Sequence, residues 1–279
     1  MSKYLKLVKN ILDKGEKRET RNGSTLSTFG KIFKIKGLKH HKFYIPAGRY
    51  IHYPAAIAEF NTFLRQPKTL KDFEDNGCNY WKKWANEDGT INVDYGNAWI
   101  NYNGINQLQN VIDTIENNPT DRRLLIDAWR PDKLNELSLP CCHYAYQFYV
   151  DLKNKRIDMM WHQRSVDVVV GLPYDIVLAQ VMLKYVCLAT SYDAGDIIMT
   201  LGDCHIYKEH IDVAYKMLNN NDRELYDFLA SAKILNNNDR ELYDFLASDG
   251  WSEKPDMGSI EIVLKNYDNP NKYKVEVKA

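Results

Sequence analysis

The segment that most restricts the fold is QRSVDVVVGLPYDI, residues 163–176, together with the apolar stretch IVLAQVMLKYVCLA that continues from its last residue. An apolar run closed by Gly-Leu-Pro and followed by this stretch predicts a buried strand that turns into a long apolar helix. Asp175 lies inside this apolar sequence, where a carboxylate costs free energy unless something pairs with it. Two interpretations are open: Asp175 is a helix N-cap, or it contacts a ligand.

Strand and helix patterns alternate along the rest of the chain, and several strands are joined by short turns. This arrangement predicts a mixed sheet and an α+β fold, in one large domain or two small ones. The segment YWKKWANEDGTINVDYGNAW, rich in aromatic and turn-forming residues, is expected to be an irregular functional loop. LNNNDRELYDFLAS occurs at 218–231 and again at 235–248, which we interpret as a tandem duplication.

The composition argues against several classes of protein. Lys plus Arg equals Asp plus Glu at 37 each, so the chain lacks the charge excess of a nucleic-acid or membrane-surface protein. The five cysteines are an odd number without zinc-like spacing, and we expect reduced thiols and no metal. The first residues resemble an amphipathic helix rather than a signal peptide, and no run is long enough for a membrane span. We therefore expect a cytoplasmic protein.

One constellation suggests covalent chemistry on a phosphorylated substrate. The Cys142-His143 pair follows a proline at the start of a predicted strand, and arginines occur at Arg21, in DRR at 121–123 and at Arg164. Forked guanidinium groups suit a doubly charged phosphate. Their positive field is expected to lower the pKa of a nearby thiol and favour a thiolate nucleophile. A buried cysteine beside a polar histidine is the alternative.

Five motifs together resemble the thymidylate synthase family, in the family's order along nearly the whole chain: YWKKWANEDGTINVDYG, NPTDRRLLIDAW, LPCCHYAYQFYV, QRSVDVVVGLPYDI and LGDCHIYKEH. The resemblance implies a single domain, 1–279, with this family's fold, in which the repeat at 218–248 is an insertion. It also implies an obligate homodimer with sheets packed back to back. Arg122 and Arg123 then reach the phosphate in the partner's site.

The resemblance also implies roles for individual residues. Cys142 matches the nucleophile that adds to C6 of a pyrimidine, and Glu59 matches the general acid/base that organises water at the base. The catalytic group it implies is Cys142, Glu59, Asp175, Arg164, His143 and Tyr95. The nucleotide-binding positions are Arg21, Arg122, Arg123, Gln163, Ser165, Asp175, His205 and Tyr207. The positions facing the co-substrate methylenetetrahydrofolate are Trp81, Trp84, Asp167, Gly171 and Ala279, the last of these in a tail that folds over the folate and excludes water.

The sequence departs from the family at Asp175, where the uracil-specific members have asparagine. A carboxylate can accept a hydrogen bond from the N4 amino group of cytosine and share a proton with N3. With uracil, the carboxylate oxygen would face O4, and both atoms are hydrogen-bond acceptors. Asp175 therefore predicts a cytosine nucleotide and resembles the deoxycytidylate hydroxymethylases. Cys141 stands where the family usually has a second proline, and His162 where it often has tyrosine.

The expected function is hydroxymethylation of deoxycytidylate with methylenetetrahydrofolate and water, which fits a role in making modified bases for viral DNA. Thymidylate synthesis and C5 methylation of deoxycytidylate are the alternatives, because the Cys-His-x-x-x-Gln-Phe pattern and both tryptophans resemble the methylating branch. A catalytically idle relative that binds nucleotide or RNA is a further class. It is disfavoured because the nucleophile, the glutamate and the arginines are all present.

Overall fold

The computed structural model describes residues 1–37, 43–46 and 48–219. Almost the whole of the repeat and the tail that ends at Ala279 therefore lie outside the described residues. The helices are α1 Lys3–Lys14, α2 Tyr53–Leu64, α3 Leu70–Glu74, α4 Tyr95–Asn101, α5 Gln107–Asn117, α6 Gly171–Thr190 and α7 Ile211–Asn219. The strands are β1 Glu16–Thr20, β2 Gly23–Ile35, β3 Leu125–Asp127, β4 His143–Asp151, β5 Arg156–Asp167 and β6 Asp193–Tyr207.

The strands form one mixed sheet in the order β1-β2-β6-β5-β4-β3. Only β5 and β6 run parallel among these pairs, and α6 is the crossover between them. Asp167, the last residue of β5, is paired with His205 near the end of β6. Both strands end at the same edge of the sheet, so the polar residues at their ends lie close together there. The expected mixed α+β architecture is confirmed.

Helix α6 is the centre of the core. Most of its side chains are buried, and it packs against α2 and against β5 and β6. By length and composition alone α6 is apolar enough to cross a membrane, but 67% of its apolar window is buried inside the protein. It is therefore the core helix of the domain.

The tryptophan-rich segment is more regular than its turn-forming composition predicts. It contains a short 3-10 helix, Trp81–Trp84, and the start of α4. Trp81, Tyr95 and Trp99 are buried and cluster around Phe63 of α2. Burial of these large rings outweighs the local turn preference of the sequence.

The other face of the sheet carries exposed apolar side chains. Ile32 of β2 and Tyr149 of β4 are 75% and 69% exposed. Near the middle of this face the His162 Nδ1 and Thr200 Oγ1 atoms are hydrogen-bonded at 2.7 Å. These two side chains add exposed apolar surface to this face of the sheet.

Candidate active site

A cavity of about 660 Å³ opens where β5 and β6 end. It is lined by fifteen of the eighteen residues that the sequence predicts for the site: Arg21, Glu59, Trp81, Trp84, Tyr95, Cys142, His143, Gln163, Arg164, Ser165, Asp167, Gly171, Asp175, His205 and Tyr207. Arg122 and Arg123 are not among the lining residues, and Ala279 lies outside the described residues. A space of this size accommodates a small-molecule ligand.

Cys142 is held at the cavity wall by its backbone. Its N–H donates to the Tyr95 hydroxyl at 2.8 Å, and its carbonyl accepts from the Arg164 N–H at 2.9 Å. The Arg164 side chain also donates to the carbonyls of Cys141 (2.8 Å) and Pro140 (2.9 Å). Tyr95 and Arg164, two predicted site residues, therefore hold in place the loop that carries Cys142. Such support pre-organises a reactive side chain.

The environment of the Cys142 thiol corrects one expectation. Burial raises its pKa, and the positive charges of Arg164 and Arg21 only partly offset that effect. Desolvation disfavours the thiolate more than the arginines favour it, so the predicted lowering of the pKa is wrong for the ligand-free chain. Cys141 is fully buried whereas Cys142 is half-buried and lines the cavity, so Cys142 is the accessible thiol of the pair.

His143 is a buried, neutral imidazole. Burial lowers its pKa to about 3, and its Nδ1 is hydrogen-bonded to the Tyr146 hydroxyl at 2.6 Å. Its ring packs against Tyr95 and Trp161, with centroids 4.4 Å away in each case. At neutral pH this histidine therefore carries no charge and supports the cavity wall beside Cys142.

Glu59 projects from α2 and is buried. Its Oε1 accepts a hydrogen bond from the Trp81 indole N–H at 2.7 Å. Burial raises its pKa to about 8, against the opposing effects of Tyr80 and Trp81. A carboxyl group with this pKa is largely protonated at neutral pH and can both give and take a proton during a reaction.

Asp175 lies within α6, one turn after the helix begins at Gly171. The N-cap interpretation is therefore wrong. Asp167 instead serves the turn into α6, because its Oδ1 accepts from the N–H groups of Val169 (2.9 Å) and Val170 (3.0 Å). The Asp175 Oδ2 accepts from the Gln163 side-chain amide at 2.6 Å, and burial raises its pKa to about 7.

The polar rim of the cavity contains a hydrogen-bond partner of His205 that the sequence analysis missed. Asp203 lines the cavity, and its Oδ1 accepts from the Ser27 hydroxyl at 2.9 Å and lies 3.0 Å from the His205 Nδ1. This contact orients the imidazole of His205, whose ring meets Tyr207 edge-on at 5.2 Å. Asp203 and His205 are two residues apart on one strand, so their side chains lie on the same face of the sheet. This spacing is the sequence signal that could have identified Asp203.

Aromatic rings form the wall opposite the rim. The rings of Trp81 and Trp84 are 5.2 Å apart, and Tyr80 and Tyr174, both missed by the sequence analysis, approach to 6.0 Å. The Trp84 indole N–H is buried and has no hydrogen-bond partner in the part of the chain that the structure describes. Flat rings with an unsatisfied donor among them suit a large heterocycle such as a pterin.

Arg122 and Arg123 lie in the exposed loop between α5 and β3. The Arg123 side chain is 89% exposed and forms an ion pair with Asp121 at 2.7 Å. Neither arginine belongs to the cavity of its own chain. Across residues 1–37, 43–46 and 48–219, no group of three or more His, Cys, Asp or Glu residues has an arrangement suited to a metal ion.

Comparisons with known proteins agree with this geometry. Residues 2–278 match the family profile described as thymidylate synthase. The thymidylate synthase of Mycoplasma mobile is 31% identical over 263 residues, an alignment that covers 84% of this chain and 90% of that protein.

Proposed function

Because the chain belongs to the thymidylate synthase family, we propose that it is a deoxycytidylate 5-hydroxymethyltransferase. The family transfers a one-carbon unit from methylenetetrahydrofolate to C5 of a pyrimidine nucleotide. In the proposed reaction deoxycytidylate, methylenetetrahydrofolate and water give 5-hydroxymethyl-deoxycytidylate and tetrahydrofolate. The single observation that carries the choice of base is the half-buried carboxyl of Asp175, which lines the cavity.

The surroundings of Asp175 support a cytosine ring. Its Oδ2 is engaged by Gln163, so the group has a fixed orientation. A pKa of about 7 lets the carboxyl share one proton with N3 of cytosine while an oxygen accepts from the N4 amino group. An asparagine, whose amide donates to O4 and accepts from N3–H, suits uracil instead. A mismatch of donors and acceptors in a buried site discriminates by about 10⁴-fold.

The other residues of the cavity fit the remaining parts of a nucleotide. Arg21, Arg164 and Ser165 are assigned to the phosphate, and His205 and Tyr207 to the 3′-hydroxyl of the sugar. In this proposal the Cys142 thiolate adds to C6, which makes C5 the nucleophile that attacks the one-carbon unit.

The folate side of the cavity is assigned to Trp81, Trp84, Asp167 and Gly171. The aromatic wall supplies flat contact area, and the free Trp84 indole N–H supplies a donor. Glu59, protonated at neutral pH, is assigned to proton transfer and to organising water at the base. These residues fit a pterin and a pyrimidine stacked in one space.

The proposed assembly is a homodimer of single-domain subunits in the cytoplasm. The exposed sheet face with Ile32 and Tyr149 supplies an apolar surface for a second copy. Arg122 and Arg123 lie outside the cavity of their own chain, as expected of residues that reach into the partner's site. Sedimentation of the purified protein and complementation of an Arg123→Ala subunit by a Cys142→Ser subunit test this arrangement.

Thymidylate synthesis is the second candidate. It is favoured by the similarity to the thymidylate synthase of Mycoplasma mobile, which aligns over 90% of its length. It requires deoxyuridylate as the substrate and dihydrofolate as a product. Asp175 is the residue that stands against it, because a carboxylate lacks the amide donor for O4.

The deciding experiment incubates deoxycytidylate and deoxyuridylate separately with methylenetetrahydrofolate. Product mass and dihydrofolate absorbance are read together. A hydroxymethyl product from deoxycytidylate without dihydrofolate is the expected result. A methyl product with equal dihydrofolate from deoxyuridylate would establish thymidylate synthesis and refute the proposal.

A further inference from the structure

Recognition of the base depends on where the Asp175 carboxyl holds its proton. With a pKa of about 7, this group is partly protonated at neutral pH. The ionised form offers no donor to O4 of uracil, but the protonated form has two arrangements. A proton on the oxygen that faces N3 is donated to cytosine, whereas a proton on the oxygen that faces the exocyclic group is donated to O4 of uracil. A neighbouring residue therefore has to fix the proton on one oxygen.

The Gln163 amide is the neighbour that distinguishes the two oxygens. Its Nε2 donates to the Asp175 Oδ2 at 2.6 Å, which is short for a bond between an amide and an oxygen. In a protonated carboxyl the carbonyl oxygen is a better acceptor than the hydroxyl oxygen. The bond from Gln163 therefore favours Oδ2 as the carbonyl oxygen and leaves the proton on Oδ1.

Trp161, two residues before Gln163 on β5, sets the orientation of this amide. Trp161 is fully buried and is not among the residues that line the cavity. Its indole N–H donates to the Gln163 Oε1 at 3.3 Å. An indole N–H can only donate, so the amide oxygen faces Trp161 and the amide NH2 group faces Asp175.

A flipped Gln163 amide would exchange these hydrogen bonds for an opposition of donors. Its NH2 group would face the indole N–H, and its oxygen would face Asp175 and accept from a proton held on Oδ2. The indole is kept in place by packing, because the rings of His143 and Tyr146 lie against that of Trp161 with centroids 4.4 and 4.8 Å away. The buried indole therefore determines which oxygen of Asp175 receives the amide donor.

We propose that Trp161 is a specificity-determining residue: by orienting the Gln163 amide it keeps the Asp175 proton on Oδ1, opposite N3 of cytosine, and leaves Oδ2 to accept from the N4 amino group. The inference rests on the proposed function. Uracil is rejected because its O4 meets Oδ2, which has no proton to donate. Trp161 lies behind the cavity wall, so it is a positioning residue that acts through Gln163.

The test compares wild type with Trp161→Phe, which keeps a buried aromatic ring and removes the indole N–H. The quantity measured is the ratio of kcat/KM for deoxycytidylate over deoxyuridylate, because general damage to the site lowers both values and leaves their ratio unchanged. Trp99→Phe is the matched control. Trp99 is also fully buried and packs edge-on against Tyr146, but its indole N–H lies beside the Tyr146 hydroxyl instead of Gln163.

A second variant removes the N–H at constant shape. Benzothienylalanine in place of Trp161 keeps the bicyclic ring and has a sulfur atom where the indole has its N–H. This variant decides the test if the smaller ring of Trp161→Phe leaves the protein unfolded. Thermal unfolding of all the proteins checks the fold.

The ratio should fall about tenfold in both Trp161 variants, which is the effect of losing one ordinary hydrogen bond, and should stay at the wild-type value in Trp99→Phe. An unchanged ratio in a folded Trp161 variant, or an equal fall in Trp99→Phe, would overturn the role of Trp161. Wild type is measured first. A wild type that prefers deoxyuridylate refutes the proposed function itself, whereas a preference for deoxycytidylate that the Trp161 variants retain in full refutes only this inference.

Discussion

The carboxyl groups of the cavity and those of the surface have opposite electrostatic environments. Burial raises the pKa of Glu59 to about 8 and that of Asp175 to about 7. At the surface, the backbone N–H groups of Lys68 and Thr69 hold the pKa of Asp72 below its usual value, and Arg123 does the same for Asp121. The surface groups are ionised and satisfied, whereas the cavity groups keep a proton available at neutral pH.

The raised pKa values of the cavity carboxyls and the lowered pKa values of the surface carboxyls change the free energy of unfolding with pH in opposite directions. A carboxyl whose pKa is raised on folding binds its proton more tightly in the folded chain, so the free energy of unfolding falls as pH rises from the unfolded pKa to the folded one. For Glu59 this window runs from 4.5 to about 8. Asp72, whose pKa is lowered on folding, stabilises the folded chain above its unfolded pKa, and this stabilisation is lost as pH falls. At neutral pH the buried carboxyl groups of the cavity therefore lower the free energy of unfolding, while their raised pKa keeps a proton available.

The largest effect is expected at Cys142, the proposed nucleophile. Cys142→Ser should lower turnover by about 10⁴-fold or more and abolish the covalent adduct with a 5-fluoro nucleotide plus methylenetetrahydrofolate. Mass spectrometry of the intact protein detects the adduct. Cys141→Ser is the matched control, since Cys141 is fully buried and should leave the adduct intact. Adduct formation by Cys142→Ser, with none by Cys141→Ser, would reverse the assignment.

Replacing the carboxyl of Asp175 should change the choice of substrate. Asp175→Asn supplies an amide donor, and the ratio of kcat/KM for deoxycytidylate over deoxyuridylate should fall by about 10³-fold or more. The measurement is kcat/KM for each nucleotide under identical conditions. Asp72→Asn, at the surface, should leave the ratio unchanged. An unaltered ratio in Asp175→Asn would mean that another residue recognises the base.

Replacing the carboxyl of Glu59 should separate activity from stability. Glu59→Gln removes the proton carrier, so turnover should fall about 10²–10⁴-fold. At pH 8 the variant should nevertheless be more stable than wild type by about 1–3 kcal/mol, because it has no buried carboxylate to form. Well below pH 4.5, where the carboxyl is protonated in both states, this advantage should disappear. Urea unfolding at the two pH values measures the difference, and an advantage that grew toward low pH would contradict the explanation.

The smallest effect is expected at the surface. Thr69 and Asp72 form a capping box at the start of α3, with the Asp72 Oδ2 accepting from the backbone N–H of Thr69 at 2.8 Å. Asp72→Asn should lower the free energy of unfolding at pH 7 by about 1 kcal/mol or less. Unlike Glu59→Gln, its effect should shrink as pH falls below the unfolded pKa. Enzymatic activity at 25 °C should not change.

The family resemblance supplied the predicted site residues, and local patterns supplied the elements that carry many of them. The strand that carries Gln163 and Arg164, the crossover helix and the strand with His205 follow directly from apolar patterns and short motifs. Fifteen of the residues that the resemblance predicts line one cavity. The family resemblance, rather than spacing alone, brought Glu59 and Trp81 into the same site.

The sequence could not give the relations between distant segments. The hydrogen bonds from Arg164 to the carbonyls of Pro140 and Cys141 join β5 to the loop before β4, and no local pattern predicts them. The pKa of Cys142 depends on the balance of burial against charge, which only the packed structure determines. The start of α6 at Gly171 rather than at Asp175 also reflects tertiary packing, because Leu172 and Pro173 are buried in the core.

The crossover β5-α6-β6 supplies three parts of the proposed nucleotide site from one continuous stretch of chain. Arg164 comes from β5, Asp175 from α6 and His205 from β6. A nucleotide that touches all three would bridge elements that already share a core, and so would tighten a single cooperative unit of unfolding. Slower hydrogen exchange should then spread along the whole of α6 when substrate binds, well beyond the atoms in contact with it.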